Sequence, residues 1–161
     1  MKIALGLEYC GTTYSGWQRQ RHTDSIQQHV EEALSHVADH TVSVQCAGRT
    51  DAGVHAWHQV IHFETEVYRE MHSWVLGGNV NLPKDISLLW AKNVSDEFNA
   101  RFSAIGRGYR YIILNRRATA RVLNRVRSGL WIWILEAIIT SASTARATSG
   151  IRRRSGNCVR R

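Results

Sequence analysis

Cysteine is scarce in this chain of 161 residues. The three present, Cys10, Cys46 and Cys158, are odd in number and show no Cys-x-x-Cys spacing, which argues against a disulfide framework or a zinc knuckle and for reduced thiols. No apolar run approaches the roughly 18 residues of a membrane helix. The strongest, Leu130 to Ile139, is ten residues long. Met1-Lys2-Ile3 opens straight into a strand-like pattern with no signal-peptide character. These absences describe a soluble cytoplasmic protein, long enough for one domain with a real core plus an appendage.

A net charge of +8 invites a nucleic-acid partner, but the charge is unevenly placed. Residues 1–120 hold twelve Lys and Arg against twelve Asp and Glu, whereas residues 121–161 hold nine Arg against Glu136 alone. Any nucleic-acid reading of the first part must therefore rest on where its arginines stand. From about Ala118 lysine is absent and Arg, Ser, Thr and Ala dominate, so 1–117 reads as a domain and 118–161 as a divergent basic tail. Ser141 to Arg161 has little to bury and is expected to be disordered.

Lys2 to Tyr9 sets Ile3, Leu5 and Leu7 at period two, the mark of a half-buried strand. Cys10 to Thr23 is a polar loop containing Tyr14, Gly16 and Trp17, whose aromatics either stack on a base or form a lid on the core, the lid being favoured. Asp24 or Ser25, with Gln27 or Gln28 completing a capping box, starts a helix through about Ala38. Val42 to Ala47 and His58 to Glu66 read as strands. Tyr68 to Leu76 has helical spacing and is expected to end at Gly77-Gly78. Asn79 to Ile86 is a turn into a strand, Ile86 to Val94, and Gly108 to Leu114 alternates as a further strand. The order βαββαβ predicts an α+β, ferredoxin-like unit whose antiparallel sheet carries helices on one face and leaves the other open.

Between the second and third strands stands Gly48-Arg49-Thr50-Asp51-Ala52-Gly53-Val54-His55, in which Gly48 and Gly53 permit a tight turn that projects Arg49, Thr50 and Asp51. An arginine within about 4 to 6 Å would keep the Asp51 carboxylate ionised and fit to act as nucleophile or base. The plainer alternative is a hairpin loop with a surface ion pair worth roughly 0 to 1 kcal/mol. His55, His58 and His62 raise the question of a metal, but a strand spreads them apart and argues against one. Farther on, Arg101, Arg107 and Arg110 interleave with Phe102, Tyr109 and Tyr111, a pattern that suits phosphates and unstacked bases and is also found on ordinary exposed strands.

Taken whole, the octet resembles the signature loop of the tRNA pseudouridine synthase A family. Tyr14-Ser15-Gly16-Trp17-Gln18-Arg19-Gln20 resembles that family's first loop, Phe98-Asn99-Ala100-Arg101-Phe102-Ser103-Ala104 followed by Tyr109-Arg110-Tyr111 resembles a second motif, and Asn79 to Ile86 a third. The sequence departs from the pattern at Cys10, where aspartate is common, at Asn99, where histidine is usual, and at Gly108, which interrupts a basic pair. The resemblance covers the chain to about residue 117, while the family continues well beyond; the tail reads as an aberrant continuation, such as a shifted reading frame.

The resemblance implies the start of a pseudouridine synthase catalytic sheet and isomerisation of uridine to pseudouridine in the tRNA anticodon stem-loop, by a homodimer, without cofactor or metal. It makes Asp51 the nucleophile and Arg49 its partner. Tyr109 would contact the target nucleotide, with Arg101, Arg107 and Arg110 on the RNA. The alternative is a truncated, catalytically inactive remnant that binds RNA.

Overall fold

The computed structural model describes residues 1–113 and 131–138. In chain order they form β1 (Lys2–Tyr9), α1 (Ile26–Ala38), β2 (Gln45–Cys46), β3 (His55–Glu64), α2 (Met71–Asn81), β4 (Ile86–Val94), β5 (Gly106–Ile113) and β6 (Trp131–Ile138). The sheet runs β4-β1-β3-β6-β5, with β2 beside β3. β1 is antiparallel to both β3 and β4, and β2 is antiparallel to β3. Each helix thus joins two strands that have a third between them, the α+β arrangement that the order βαββαβ predicts. β6 extends the sheet, parallel to β3 and antiparallel to β5. It falls inside the segment expected to be a divergent tail. The disorder expected of Ser141 to Arg161 concerns residues outside the described ones.

β1 matches its expected span, but, lying between β3 and β4, it is buried on both faces. Ile3, Leu5 and Leu7 pack with Ile26, Val30 and Leu34 of α1 and with Trp74 of α2. On the opposite face Ala4 and Val60 are covered by Phe98 and Ala100, with Trp90 against them. The face expected to be open is therefore closed over its middle by the connection between β4 and β5. Gly6 is required there, since a Cβ would occupy the Trp90 indole.

Expectations about β2, α1 and α2 are corrected. Val42 to Ala47 is a strand only at Gln45 and Cys46; ahead of them the Val42 N–H donates to Ser35 Oγ (2.9 Å) and the Val44 N–H to Glu31 Oε1 (3.1 Å). The stretch ahead of β2 is thus tied to side chains of α1. The capping box does not form: Ser25 makes no cap bond, and the first α1 amides, Ile26 and Gln27, donate to the Gly16 and Trp17 carbonyls at 3.2 and 2.9 Å. Helix α2 does not stop at Gly77-Gly78 but runs through them to Asn81. A Cβ on Gly77 would meet Val37 Cγ2 at 2.9 Å and one on Gly78 would press on Leu88, so these glycines allow close approach and do not end the helix.

Trp74 is fully buried, its ring 5.1 Å from that of Phe63 and steeply inclined to it. Trp74→Ala is expected to cost about 3 to 5 kcal/mol, whereas Leu76→Ala, on a side chain 63% exposed, should stay within about 0.5 kcal/mol. Urea unfolding of the two variants checks both values.

Candidate active site

The octet leaves β2 and returns as the first residue of β3, which begins at His55 and not at His58. At its base the Ala47 N–H donates to the Val60 carbonyl (2.8 Å) and the Gln59 side-chain amide donates to the Gly48 carbonyl. At its tip the Val54 N–H donates to the Asp51 carbonyl (3.2 Å), and Gly53 takes φ +80°. Positive φ at the third residue of a four-residue turn is what glycine supplies at no steric cost. Of the two octet glycines only Gly53 needs it.

Thr50 points inward, its hydroxyl 2.8 Å from the Tyr9 hydroxyl, both residues buried. Burial pushes the Tyr9 hydroxyl up to about 12, against the opposing effect of hydrogen bonds to Thr50 and Gln59. The Thr50 carbonyl accepts from the Trp17 N–H (2.9 Å), and the Gly53 N–H donates to the Tyr14 carbonyl (3.3 Å). Gly16 makes this contact possible: at φ +95°, a Cβ there would lie 2.6 Å from the Thr50 carbonyl oxygen. Tyr14 and Trp17 are both buried in the main core, so the lid reading of the first loop holds. The Tyr14 hydroxyl donates to Asp85 Oδ1 (2.7 Å), tying that loop to the start of β4. Burial and, next, the Asp85 carboxylate raise the Tyr14 pKa well above the usual phenol range.

With Thr50 turned in, its neighbours Arg49 and Asp51 are both exposed. Among the described residues no ion pair joins them. The positive charge of Arg49, like that of Arg101, is felt instead at Cys46, whose thiol burial pushes up to about 11 despite both.

The other expected site residues divide. Arg107 donates from Nε to the Ala47 carbonyl (2.9 Å) and from a terminal guanidinium nitrogen to the Arg101 carbonyl (2.7 Å), so much of its donor capacity clasps β5 to the base of the octet. Arg101 lies over the Phe102 ring at 5.5 Å and Arg110 over the Trp57 ring at 5.0 Å. Tyr109 is exposed on β5, and strand alternation sends it to the face opposite Arg110. The structure therefore gathers Arg49, Arg101 and Arg107 around Cys46 and Ala47 and sets Arg110 apart.

Asn99, at one departure from the family pattern, accepts the Arg101 N–H (2.9 Å) and Phe102 N–H (3.2 Å) and so shapes that turn. The histidines have separate partners: His58 Nε2 accepts from the Trp90 indole (2.8 Å), and His62 Nδ1 from the Ala100 N–H (3.1 Å). Burial lowers the pKa of His55 and His62. Sequence reasoning misses the hydroxyl and amide layer of Tyr9, Thr50 and Gln59 beneath the loop. Only Gln59, a polar side chain in an apolar strand, hints at it.

The residue pattern of the family described as tRNA pseudouridine synthase matches residues 7–103. The chain belongs to that family. It is 61% identical over 123 residues to tRNA pseudouridine synthase A of Vibrio vulnificus strain YJ016, an alignment covering 76% of this chain and 47% of the relative. The protein of the same name from Vibrio parahaemolyticus serotype O3:K6 is 59% identical over 124 residues, covering 77% and 47%. That from Glaesserella parasuis serovar 5 is 58% identical over 123 residues, covering 76% and 47%. The chain thus spans about half the length of these curated relatives.

Gly16→Ala, which combines positive φ with a backbone collision, is expected to destabilise the chain by about 2 to 4 kcal/mol. Gly53→Ala, with φ +80° and nothing within 4 Å of the new Cβ, should cost only about 1 to 2 kcal/mol. Denaturant midpoints separate the two. A raised Tyr9 pKa also fixes an alkaline response. Below pH 10 the phenol is protonated in both states; above it the unfolded chain ionises first, so stability falls as pH climbs from 10 towards 12. Tyr9→Phe should shrink that loss by roughly 2 to 3 kcal/mol at pH 12 while costing about 1 kcal/mol at neutral pH through the partnerless Thr50 hydroxyl. Urea melts across this pH range test the sign.

Proposed function

We propose that residues 1–117 are the N-terminal catalytic part of a tRNA pseudouridine synthase that isomerises uridine to pseudouridine in the anticodon stem-loop. The observation that carries this reading is an exposed Asp51 on a loop immobilised from below by Thr50, Tyr9 and Trp17. A reactive carboxylate on a rigid mount can be aimed without an ordering cost at the moment of reaction.

In the reaction the bond between a base nitrogen and the ribose breaks, and a bond from a base carbon to the same ribose carbon forms. The proton on that base carbon leaves, and the freed nitrogen gains one. No electrons are gained or lost, so the balance calls for neither a redox cofactor nor a co-substrate. Asp51 attacks the nucleotide, Arg49 holds it, and Tyr109 packs on the target base. A uridine within a stem must first be flipped out at a cost of a few kcal/mol. Phosphate contacts from Arg101 and stacking, the latter roughly 1 to 3 kcal/mol per base, offset that cost. Work as a cytoplasmic homodimer belongs to the same proposal.

The detached base must stay caged until it rejoins the ribose, and Asp51 stands exposed in a chain covering 47% of its relatives. Those two facts favour a second reading, a remnant that binds RNA without turnover. Incubation of the chain with unmodified tRNA and assay for pseudouridine decides between them. If the enzyme reading holds, Asp51→Ala lowers product formation by at least about a thousandfold and leaves tRNA affinity within about threefold. Binding without product from the unaltered chain would establish the remnant instead.

A further inference from the structure

Trp57 is the one large aromatic that β3 turns towards solvent, 46% exposed between the buried Ala56 and the half-buried His58. Its exposure has a cause in the backbone. β1 pairs Leu7 with Gln59 but Tyr9 with Ala56, and β6 pairs with Ala56 and then with His58. Both ladders skip Trp57. A residue left out of its ladder by a bulge is re-aimed away from the regular face, a device common beside functional sites.

One side of the indole is already occupied. The Arg110 guanidinium lies 5.0 Å from the ring centroid, and the register that aligns both Arg110 and His55 with Ile134 places Arg110 on the same sheet face as His55. The pair is thus a flat ring with a cation behind it and nearly half of the residue still in water. Bases stack on such rings whatever their sequence, and a neighbouring guanidinium adds attraction for the phosphate. Trp57 is six residues beyond Asp51, so at most about 20 Å of chain separates them, a few nucleotides along an RNA strand. Tyr109 leaves β5 on the other face, so the two aromatics need not compete for one base.

We propose that Trp57, backed by Arg110, is a stacking shelf for an unpaired base of the bound RNA, a neighbour of the nucleotide that Asp51 addresses. The inference rests on the reading of the partner as RNA and is separable from catalysis. The shelf takes any unstacked base, so it contributes affinity for looped or flipped RNA without choosing its sequence.

Binding of an unmodified anticodon stem-loop RNA by the full chain tests it, with Trp57→Phe and Trp57→Leu compared because both keep apolar bulk and only one keeps a π face. Trp57→Leu is expected to weaken binding roughly 5- to 150-fold with an unchanged salt slope, and Trp57→Phe to stay within about threefold of the unaltered chain. Arg110→Gln should lower the salt slope by about one. A blunt RNA duplex should compete less well for the unaltered chain than a single-stranded oligonucleotide, and should lose that disadvantage with Trp57→Leu. Circular dichroism melts show whether a variant is folded, and a Trp57→Phe melt matching the unaltered chain keeps the comparison valid if Trp57→Leu unfolds, with Trp57→Met then replacing it.

Equal affinity of the Leu and Phe variants, or no RNA binding by the unaltered chain, overturns the shelf. Pseudouridine formation is scored separately. Product with no Trp57→Leu deficit sinks the shelf and spares the enzyme; a deficit with no product does the reverse.

Discussion

The site depends on one close approach, between the Thr50 carbonyl and the backbone at Gly16 and Trp17. The Trp17 N–H reaches that carbonyl at 2.9 Å, and no side chain fits where Gly16 lies. The same short segment uses its carbonyls to receive the first amides of α1. One stretch of backbone thus receives the start of a helix on one side and fixes the octet loop on the other. Because the groups involved are backbone, their geometry is set by the buried rings of Tyr14 and Trp17 and not by flexible side chains.

Electrostatics plays a smaller part in this arrangement than the spelling of the loop suggests. Arg49 and Asp51 flank a buried threonine and are not paired with each other among the described residues. Neighbours in sequence on either side of an inward residue both face solvent, where an ion pair gains little. The arginines that do gather, Arg49, Arg101 and Arg107, surround Cys46 and Ala47 at the foot of the loop. Arg107 acts there mainly as a fastener, since its guanidinium is committed to two carbonyls. A phosphate arriving at this cluster would meet Arg49 and Arg101 with fewer competing bonds.

Strong local periodicity was readable and long-range satisfaction of donors was not. Ile3, Leu5 and Leu7 announce β1, and Ile26, Val30 and Leu34 announce α1, because each pattern reports burial on a single element. β4 is found at its expected bounds for the same reason. The stretch ahead of β2 is held by Ser35 and Glu31, which belong to another element, so no window around Val42 to Ala47 reveals those bonds. Gly77-Gly78 looks like a helix end until Val37 and Leu88 are known to lie against it. At the candidate site, the projecting turn of Asp51 and Arg49 was legible from Gly48 and Gly53, and the lid aromatics from their place in a glycine-containing loop. The layer of Tyr9, Thr50 and Gln59 depends on pairing across β1 and β3, which sequence spacing does not express. β6 was visible only as an apolar run whose lack of alternation leaves its type undetermined.

The excursion of the octet has a topological result. β2 occupies the edge of β3 only opposite Ile61 and His62, and after Ala47 the chain peels away, so the edge at His55 to His58 is vacant for another partner. β6 takes that place, running parallel where β2 ran antiparallel. A tight two-residue hairpin would have zipped β2 along this whole edge and kept β6 from pairing with β3. The detour that lifts the carboxylate into solvent is therefore also the gap through which the sheet grows, and Asp51 stands at the seam between the two parts.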